Sequence, residues 1–79
     1  METELNLAVV AEARDLARSG RGERVRRAAG ISQGELAAAV GVTPACVSRW
    51  EAGIRRPRGA SAIRYAEVLA RLAEGVVNK

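Results

Sequence analysis

The 79-residue sequence contains no histidine and no phenylalanine, and only one cysteine, one tryptophan and one tyrosine. Without histidine there is no imidazole general base, and a single cysteine can form neither an internal disulfide nor a multi-thiolate zinc site. No nucleophile has a base at a recognisable spacing. We therefore expect neither an enzyme nor a bound cofactor or metal, and the lone thiol of Cys46 indicates a reducing, cytoplasmic setting.

Long hydrophobic runs are also missing. The longest apolar stretch near the N-terminus, Leu7 to Ala11, is far shorter than the roughly 20 residues that cross a bilayer. The first residues, Met1 to Glu4, are acidic where a signal peptide would be basic. The sequence predicts neither export nor membrane insertion.

Positive charge is present in excess and is concentrated in the middle of the chain. The net charge is +4, and the segment 24–64 alone carries eight arginines against two glutamates, a balance of +6. Arginine makes forked contacts with phosphate and with guanine. Nucleic acid is therefore the first partner to consider.

Apolar spacing and capping signals predict five helices and no strand. The helices are expected over Thr3–Arg18, over Glu23–Ala29, from the Ser32–Glu35 capping box to Gly41, from Thr43 and Pro44 to near Gly53, and over Ala60–Glu74. The residues expected in the core are Leu5, Val9, Ala13, Leu16, Leu36, Ala37, Val40, Val47, Trp50, Ile63, Ala66, Leu69 and Leu72. Thr3 and Thr43 are expected to cap their helices, Gly30 and Gly75 to end theirs, and the stretch from Ser19 to Gly22 to separate the first two.

The two helices on either side of Gly41 are the informative pair. Both are short, a tight glycine-containing turn joins them, and the second has a strong N-cap and a polar outer face. These are the features of a helix-turn-helix, in which the second helix enters the major groove of DNA.

The segment from Gln33 to Gly53, with Leu36-Ala37, Gly41-Val42-Thr43 and Ser48-Arg49-Trp50-Glu51, resembles the Cro and phage-repressor (XRE) family of helix-turn-helix proteins. The resemblance extends over about Arg24 to Leu72. It implies an all-α, compact, lambda-repressor-like five-helix bundle, with one helix here an N-terminal addition. At Gly22 the sequence departs from the family pattern, which has an apolar residue there.

The resemblance also implies roles for individual residues. Base contact is implied for Pro44, Ala45, Ser48 and Arg49, and a structural ion pair for Arg26 and Glu51. Phosphate contact is implied for Gln33 and Thr43, and Gln33 is also expected to support the recognition helix. Arg49 can bind guanine O6 and N7, whereas Pro44 and Ala45 offer only apolar contact. Three cations around a proline just after the recognition helix, Arg55, Arg56 and Arg58, favour further phosphate contact. Cys46 is interpreted as an idle small residue, with a redox role as the alternative.

Three segments are expected: residues 1–20 as a helix for docking or dimerisation, residues 21–75 as the DNA-binding domain and residues 76–79 as a tail. The first helix could pack on its own domain, pair with a second chain through residues 3–18, or bind a partner protein. The function expected is that of a DNA-binding repressor of phage or mobile-element origin, acting at the nucleoid as a homodimer on a palindromic operator. The alternatives are an antitoxin that regulates its own promoter and a protein-interaction domain on the same scaffold.

Overall fold

The structure is a computed structural model that describes the backbone of residues 2–77 and the side chains of residues 6–75. Within the described backbone there are five α-helices and no strand, so the predicted all-α bundle is confirmed. The helices are α1 (Glu2–Ser19), α2 (Arg21–Ala28), α3 (Gln33–Val40), α4 (Pro44–Glu51) and α5 (Gly59–Val77).

Helix α1 packs on its own domain, mainly against α5 and also against α2 and α4. Its inner face buries Ala13, Leu16 and Ala17, so the predicted stripe is confirmed over this part of the helix. The predicted burial of Leu5 lies outside the described side chains. The helix begins at Glu2, so the prediction that Thr3 caps it is wrong, because Thr3 lies inside the first turn.

The break between α1 and α2 is shorter than predicted. Gly20 alone turns the chain, with φ of +85°, a left-handed conformation that favours glycine. Helix α2 therefore begins at Arg21 instead of Glu23, and Gly22 is buried inside it. At the other end, Ala29 is the C-cap and Gly30 follows with φ of +73°, as expected for a helix that ends at this glycine.

The predicted start and end of α3 and the predicted start of α4 are confirmed. The Ser32 hydroxyl accepts from the Glu35 N–H at 3.0 Å, and the Glu35 carboxylate accepts from the Ser32 N–H at 2.9 Å. The hydrogen bond from the Ser32 N–H stabilises the ionised carboxylate and holds the pKa of Glu35 below its usual value. Gly41, at φ of +91°, ends α3, and Thr43 and Pro44 begin α4 as N-cap and first residue.

Helix α5 extends beyond its predicted end. It runs through Gly75 to Val77, so the prediction that Gly75 ends the helix is wrong. A glycine that ends a helix adopts a left-handed conformation, and Gly75 is not among the glycines with positive φ. A glycine inside a helix costs only about 1 kcal/mol, which the rest of this long helix can offset.

The face of α5 that packs in the core also differs from the predicted face. Ala66 and Leu69 are buried as expected, but Ile63 is only half-buried. Tyr65, which was not expected in the core, is completely buried. Its ring meets that of Trp50 edge-on, with ring centroids 5.0 Å apart and an angle of 67° between the planes. Both aromatic residues of the chain therefore join α5 to α4 in the centre of the core.

Candidate nucleic-acid interface

Helices α3 and α4 are connected through a turn that the backbone itself holds rigid. The N–H groups of Gly41 and Val42 both donate to the carbonyl of Ala37, at 2.8 and 2.9 Å. The hydroxyl of Thr43 then accepts from the Cys46 N–H at 3.2 Å, which fixes the first turn of α4. The three consecutive residues Gly41, Val42 and Thr43 thus each make a hydrogen bond to a neighbouring helix end, and these bonds set the direction in which α4 leaves the turn.

Helix α4 has one face in the core and the opposite face in solvent. Val47 and Trp50 are buried, and they attach the helix to the rest of the bundle. The residues with implied base contact lie together on the exposed side: Pro44, Ala45, Ser48 and Arg49. The helix therefore presents its N-terminal half and the Arg49 guanidinium outward from a fixed base.

The C-terminal end of α4 is anchored by a buried ion pair. Arg26 Nε lies 2.7 Å from Glu51 Oε2 and Arg26 Nη2 lies 3.0 Å from Glu51 Oε1, so the contact is forked. The remaining guanidinium nitrogen of Arg26, Nη1, donates to the Ile31 carbonyl at 2.8 Å. The Arg26 and Glu51 side chains are only 7% and 4% exposed, so the ion pair that connects α2 to α4 is largely shielded from water.

Gln33 completes this cluster. Its amide Nε2 donates to Glu51 Oε1 at 2.9 Å, which attaches the first residue of α3 to the last residue of α4. Burial opposes ionisation of Glu51, but the hydrogen bonds from Arg26 and Gln33 outweigh it and hold the Glu51 pKa below its usual value. The three side chains therefore fix the angle between the two helices of the helix-turn-helix.

The loop after α4 displays its arginines around a buried proline. Arg55, Arg56 and Arg58 are exposed, whereas Pro57 is fully buried. The Pro57 carbonyl accepts a hydrogen bond from Arg14 Nε at 2.9 Å, so α1 holds the loop from behind. The loop is thus a supported structure that carries three cations on its outer side.

Arg49 and the loop arginines line a single open groove of about 700 Å³. Arg18 of α1 and the half-buried Cys46 also line it, and none of the lining residues among the described side chains is acidic. Arg14 and Arg18 were missed because both precede the segment that carries the resemblance. Their spacing of four residues, which places two side chains on the same side of a helix, was the available signal.

The fold and the exposed α4 define the chain as a helix-turn-helix protein. The family model described as helix-turn-helix, of the Cro/C1 (XRE) type, matches residues 23–73, and the chain belongs to this family. It is accordingly a DNA-binding transcription regulator whose partner is double-stranded DNA. No curated protein and no solved structure matches the chain. Among the described residues, no helix is long and apolar enough to cross a membrane.

Proposed function

We propose that the protein is a sequence-specific repressor that places α4 in the major groove of its operator. The exposed face of α4, held by buried Trp50 and the Arg26–Glu51 pair, is the observation that carries this proposal. A reading helix discriminates between bases only if its direction is fixed, because each hydrogen bond to a base edge depends on its geometry.

Arg49 is the residue proposed to read sequence directly. It is exposed on α4, and its forked guanidinium fits guanine O6 and N7, a contact worth roughly 1–3 kcal/mol of discrimination. Pro44 and Ala45 are proposed to meet thymine methyl groups, with Ser48 beside them. Because few side chains on this face make hydrogen bonds, DNA shape is expected to contribute to specificity.

The phosphate contacts are proposed to come from both sides of α4. Thr43 and Gln33 lie at the starts of α4 and α3, where N–H groups and the helix dipole favour an anion. The loop arginines Arg55, Arg56 and Arg58 supply positive charge at the other end. Such contacts set register and affinity, whereas the base contacts set sequence.

We further propose that two copies bind a palindromic operator, with half-sites about 34 Å apart, at the nucleoid in the cytoplasm. We propose that such a pair represses by occupying a promoter and excluding other proteins from the same DNA. Dimerisation through the inner face of α1 would compete with the packing of α1 in the core of its own chain, because Ala13, Leu16 and Ala17 are buried there. The same packing uses Ala13, Leu16 and Ala17 of the apolar stripe on which the antitoxin alternative depends.

The test is selection of bound duplexes from a randomised pool at about 150 mM salt, where nonspecific phosphate binding is weak. We expect enrichment of a palindrome with a guanine in each half-site. Arg49→Ala should lose the preference at that guanine, whereas Arg71→Ala, which removes an exposed arginine from α5, should keep it. A pool that shows no enrichment would contradict the proposal and favour the protein-interaction alternative.

A further inference from the structure

Helix α1 lies outside the family match at residues 23–73, yet two of its side chains reach the basic side of the DNA-binding surface. Arg14 holds the Pro57 carbonyl of the loop at 2.9 Å. Arg18, one turn further along α1, lines the groove that Arg49 and the loop arginines also line. The groove therefore has one wall from α4 and its following loop, and another wall from α1.

The groove has the charge of a site for a polyanion. Among the side chains that the structure describes, five arginines line it, namely Arg18, Arg49, Arg55, Arg56 and Arg58, and the other lining residues are uncharged. Like charges that line one groove repel one another, and a bound anion offsets this repulsion. The groove is also open and continuous with the exposed face of α4, since Arg49 belongs to both. An extended chain of phosphates fits this arrangement better than a small enclosed anion.

Arg18 can be released to such a ligand without leaving a carboxylate unpaired. Its guanidinium pairs with Asp15, and both side chains are exposed, 77% and 39% respectively. Asp15 also accepts from Arg21 at 2.5 Å, and this second hydrogen bond is the main reason that the Asp15 pKa is lowered. An exposed pair contributes little, and Arg21 remains to neutralise Asp15 when Arg18 turns to another anion.

We propose that α1 is part of the DNA-binding surface and that Arg18 contacts a backbone phosphate flanking the base pairs under α4. The proposal rests on the proposed function, and it extends the DNA contact to a helix that the family match does not include. DNA that enters the groove meets Arg49 and the loop arginines on one wall and Arg18 on the other. Arg14 acts as a positioning residue, because it holds the loop that forms the opposite wall.

The experiment measures the affinity of the full chain for a mixed-sequence duplex as a function of salt concentration, for wild type, Arg18→Ala and Arg71→Ala. Each phosphate neutralised contributes about 0.9 to the slope of log affinity against log salt. We expect Arg18→Ala to reduce the slope by about 1 and the affinity by about three- to tenfold, equally for specific and nonspecific sequences. Arg71→Ala, the charge-matched control on α5, should leave the slope unchanged.

A second arm uses the selected operator, which fixes the register of binding, and shortens it by a few base pairs at its flanks. Wild type should lose affinity when the flanking phosphate is removed, whereas Arg18→Ala should bind both lengths equally. If wild type binds DNA but Arg18→Ala has the slope and length dependence of wild type, this inference is overturned and the proposed function stands. If wild type binds no duplex, both are overturned. Melting of Arg18→Ala at the wild-type temperature would show that the fold is intact.

Discussion

The hydroxyl group of Tyr65 occupies the space in which a side chain at position 22 would lie. Gly22 is buried in α2, and a methyl group built there would collide with this oxygen and lie 3.1 Å from Leu69 Cδ1 and 3.2 Å from the Leu16 carbonyl oxygen. Glycine and tyrosine thus replace the apolar residue that the family pattern has at position 22. The Tyr65 hydroxyl finds no hydrogen-bond partner among the described residues, and burial raises the pKa of Tyr65 to about 12.

Tyr65→Phe is expected to stabilise the fold. It removes a buried oxygen that has no hydrogen-bond partner among the described residues, and a group of this kind costs about 1–3 kcal/mol. Part of the gain is lost because the space beside Gly22 becomes empty. We expect a net gain of about 1 kcal/mol, seen as a rise of about 4–8 °C in the melting temperature. A fall in melting temperature would show that the hydroxyl contributes more by packing than its desolvation costs.

Gly22→Ala tests the same relationship from the other side. In the wild type it should destabilise by about 1–3 kcal/mol, because the added methyl group overpacks the core. In the Tyr65→Phe background the loss should be smaller, since the oxygen it meets is gone. Gly34→Ala is the control, because a methyl group there makes only ordinary contacts, at 3.8 Å or more. Equal losses from Gly22→Ala in both backgrounds would contradict this description of the contact.

Removal of one partner from the Arg26–Glu51 pair should be strongly destabilising. Glu51→Ala leaves a buried guanidinium without its carboxylate, which costs about 3–5 kcal/mol. Replacement of both charges, in Arg26→Met with Glu51→Leu, should restore most of the lost stability, because no unpaired charge is then buried. Denaturation with urea measures both variants. Equal destabilisation of the single and the double variant would show that the charge itself is not the cause.

The pair also predicts a pH dependence. The Glu51 pKa is lower in the folded chain than its usual value of 4.5, so the folded state binds fewer protons than the unfolded state in acid. The stability contributed by ionised Glu51 is present above pH 4.5 and is lost as the pH falls through the folded-state pKa. The difference in unfolding free energy between wild type and Glu51→Gln should therefore be constant above about pH 5 and shrink below it. A difference that is constant throughout the acid range would contradict this assignment.

Substitutions at Thr43 separate its two expected roles. Asparagine and aspartate both cap helices as well as threonine does, so Thr43→Asn and Thr43→Asp should melt within a few degrees of wild type. Only aspartate places a negative charge where the DNA phosphate is expected. We expect Thr43→Asn to bind DNA within about threefold of wild type and Thr43→Asp to bind about tenfold more weakly. Equal affinities, measured by fluorescence anisotropy, would remove Thr43 from the phosphate contacts.

A double-mutant cycle tests whether Arg14 acts through the loop. Arg14→Met removes the hydrogen bond to the Pro57 carbonyl and should weaken DNA binding about threefold, because the loop arginines lose their support. In the background in which Arg55, Arg56 and Arg58 are all replaced by alanine, Arg14→Met should have no further effect on affinity. A full threefold loss in that background would show that Arg14 acts on DNA binding by another route.

The features predicted best from the sequence are helix ends that depend only on neighbouring residues. The capping box at Ser32 and the Thr43–Pro44 helix start are local signals, and both are confirmed. The end of α5 was predicted wrongly, because a glycine near a chain end can lie inside a helix as well as end it. Apolar spacing favoured Ile63 for the core although Tyr65 lies there, because several apolar faces were available. Residues two apart on a helix point about 160° apart, so the choice of face decides which of the two is buried.

Contacts between residues far apart in the sequence could not be predicted from the sequence patterns. Arg14 and Pro57 are 43 positions apart, and nothing in either local pattern indicates the other. Arg18 reaches the groove only because α1 packs across α4 and α5. The family resemblance could place Arg49 on the reading face, but it does not include α1, so the second wall of the groove could not be predicted from it.

The most direct test of the account compares the affinity of wild type and Arg49→Ala for the selected operator and for a scrambled duplex of equal length, at one salt concentration. Wild type should prefer the operator by a factor on the order of 10³ or more. Arg49→Ala should lose about 10- to 100-fold of this preference while its affinity for the scrambled duplex changes only slightly. Equal affinity of wild type for both duplexes, or an Arg49→Ala variant with the full wild-type preference, would contradict the claim that α4 reads sequence through Arg49.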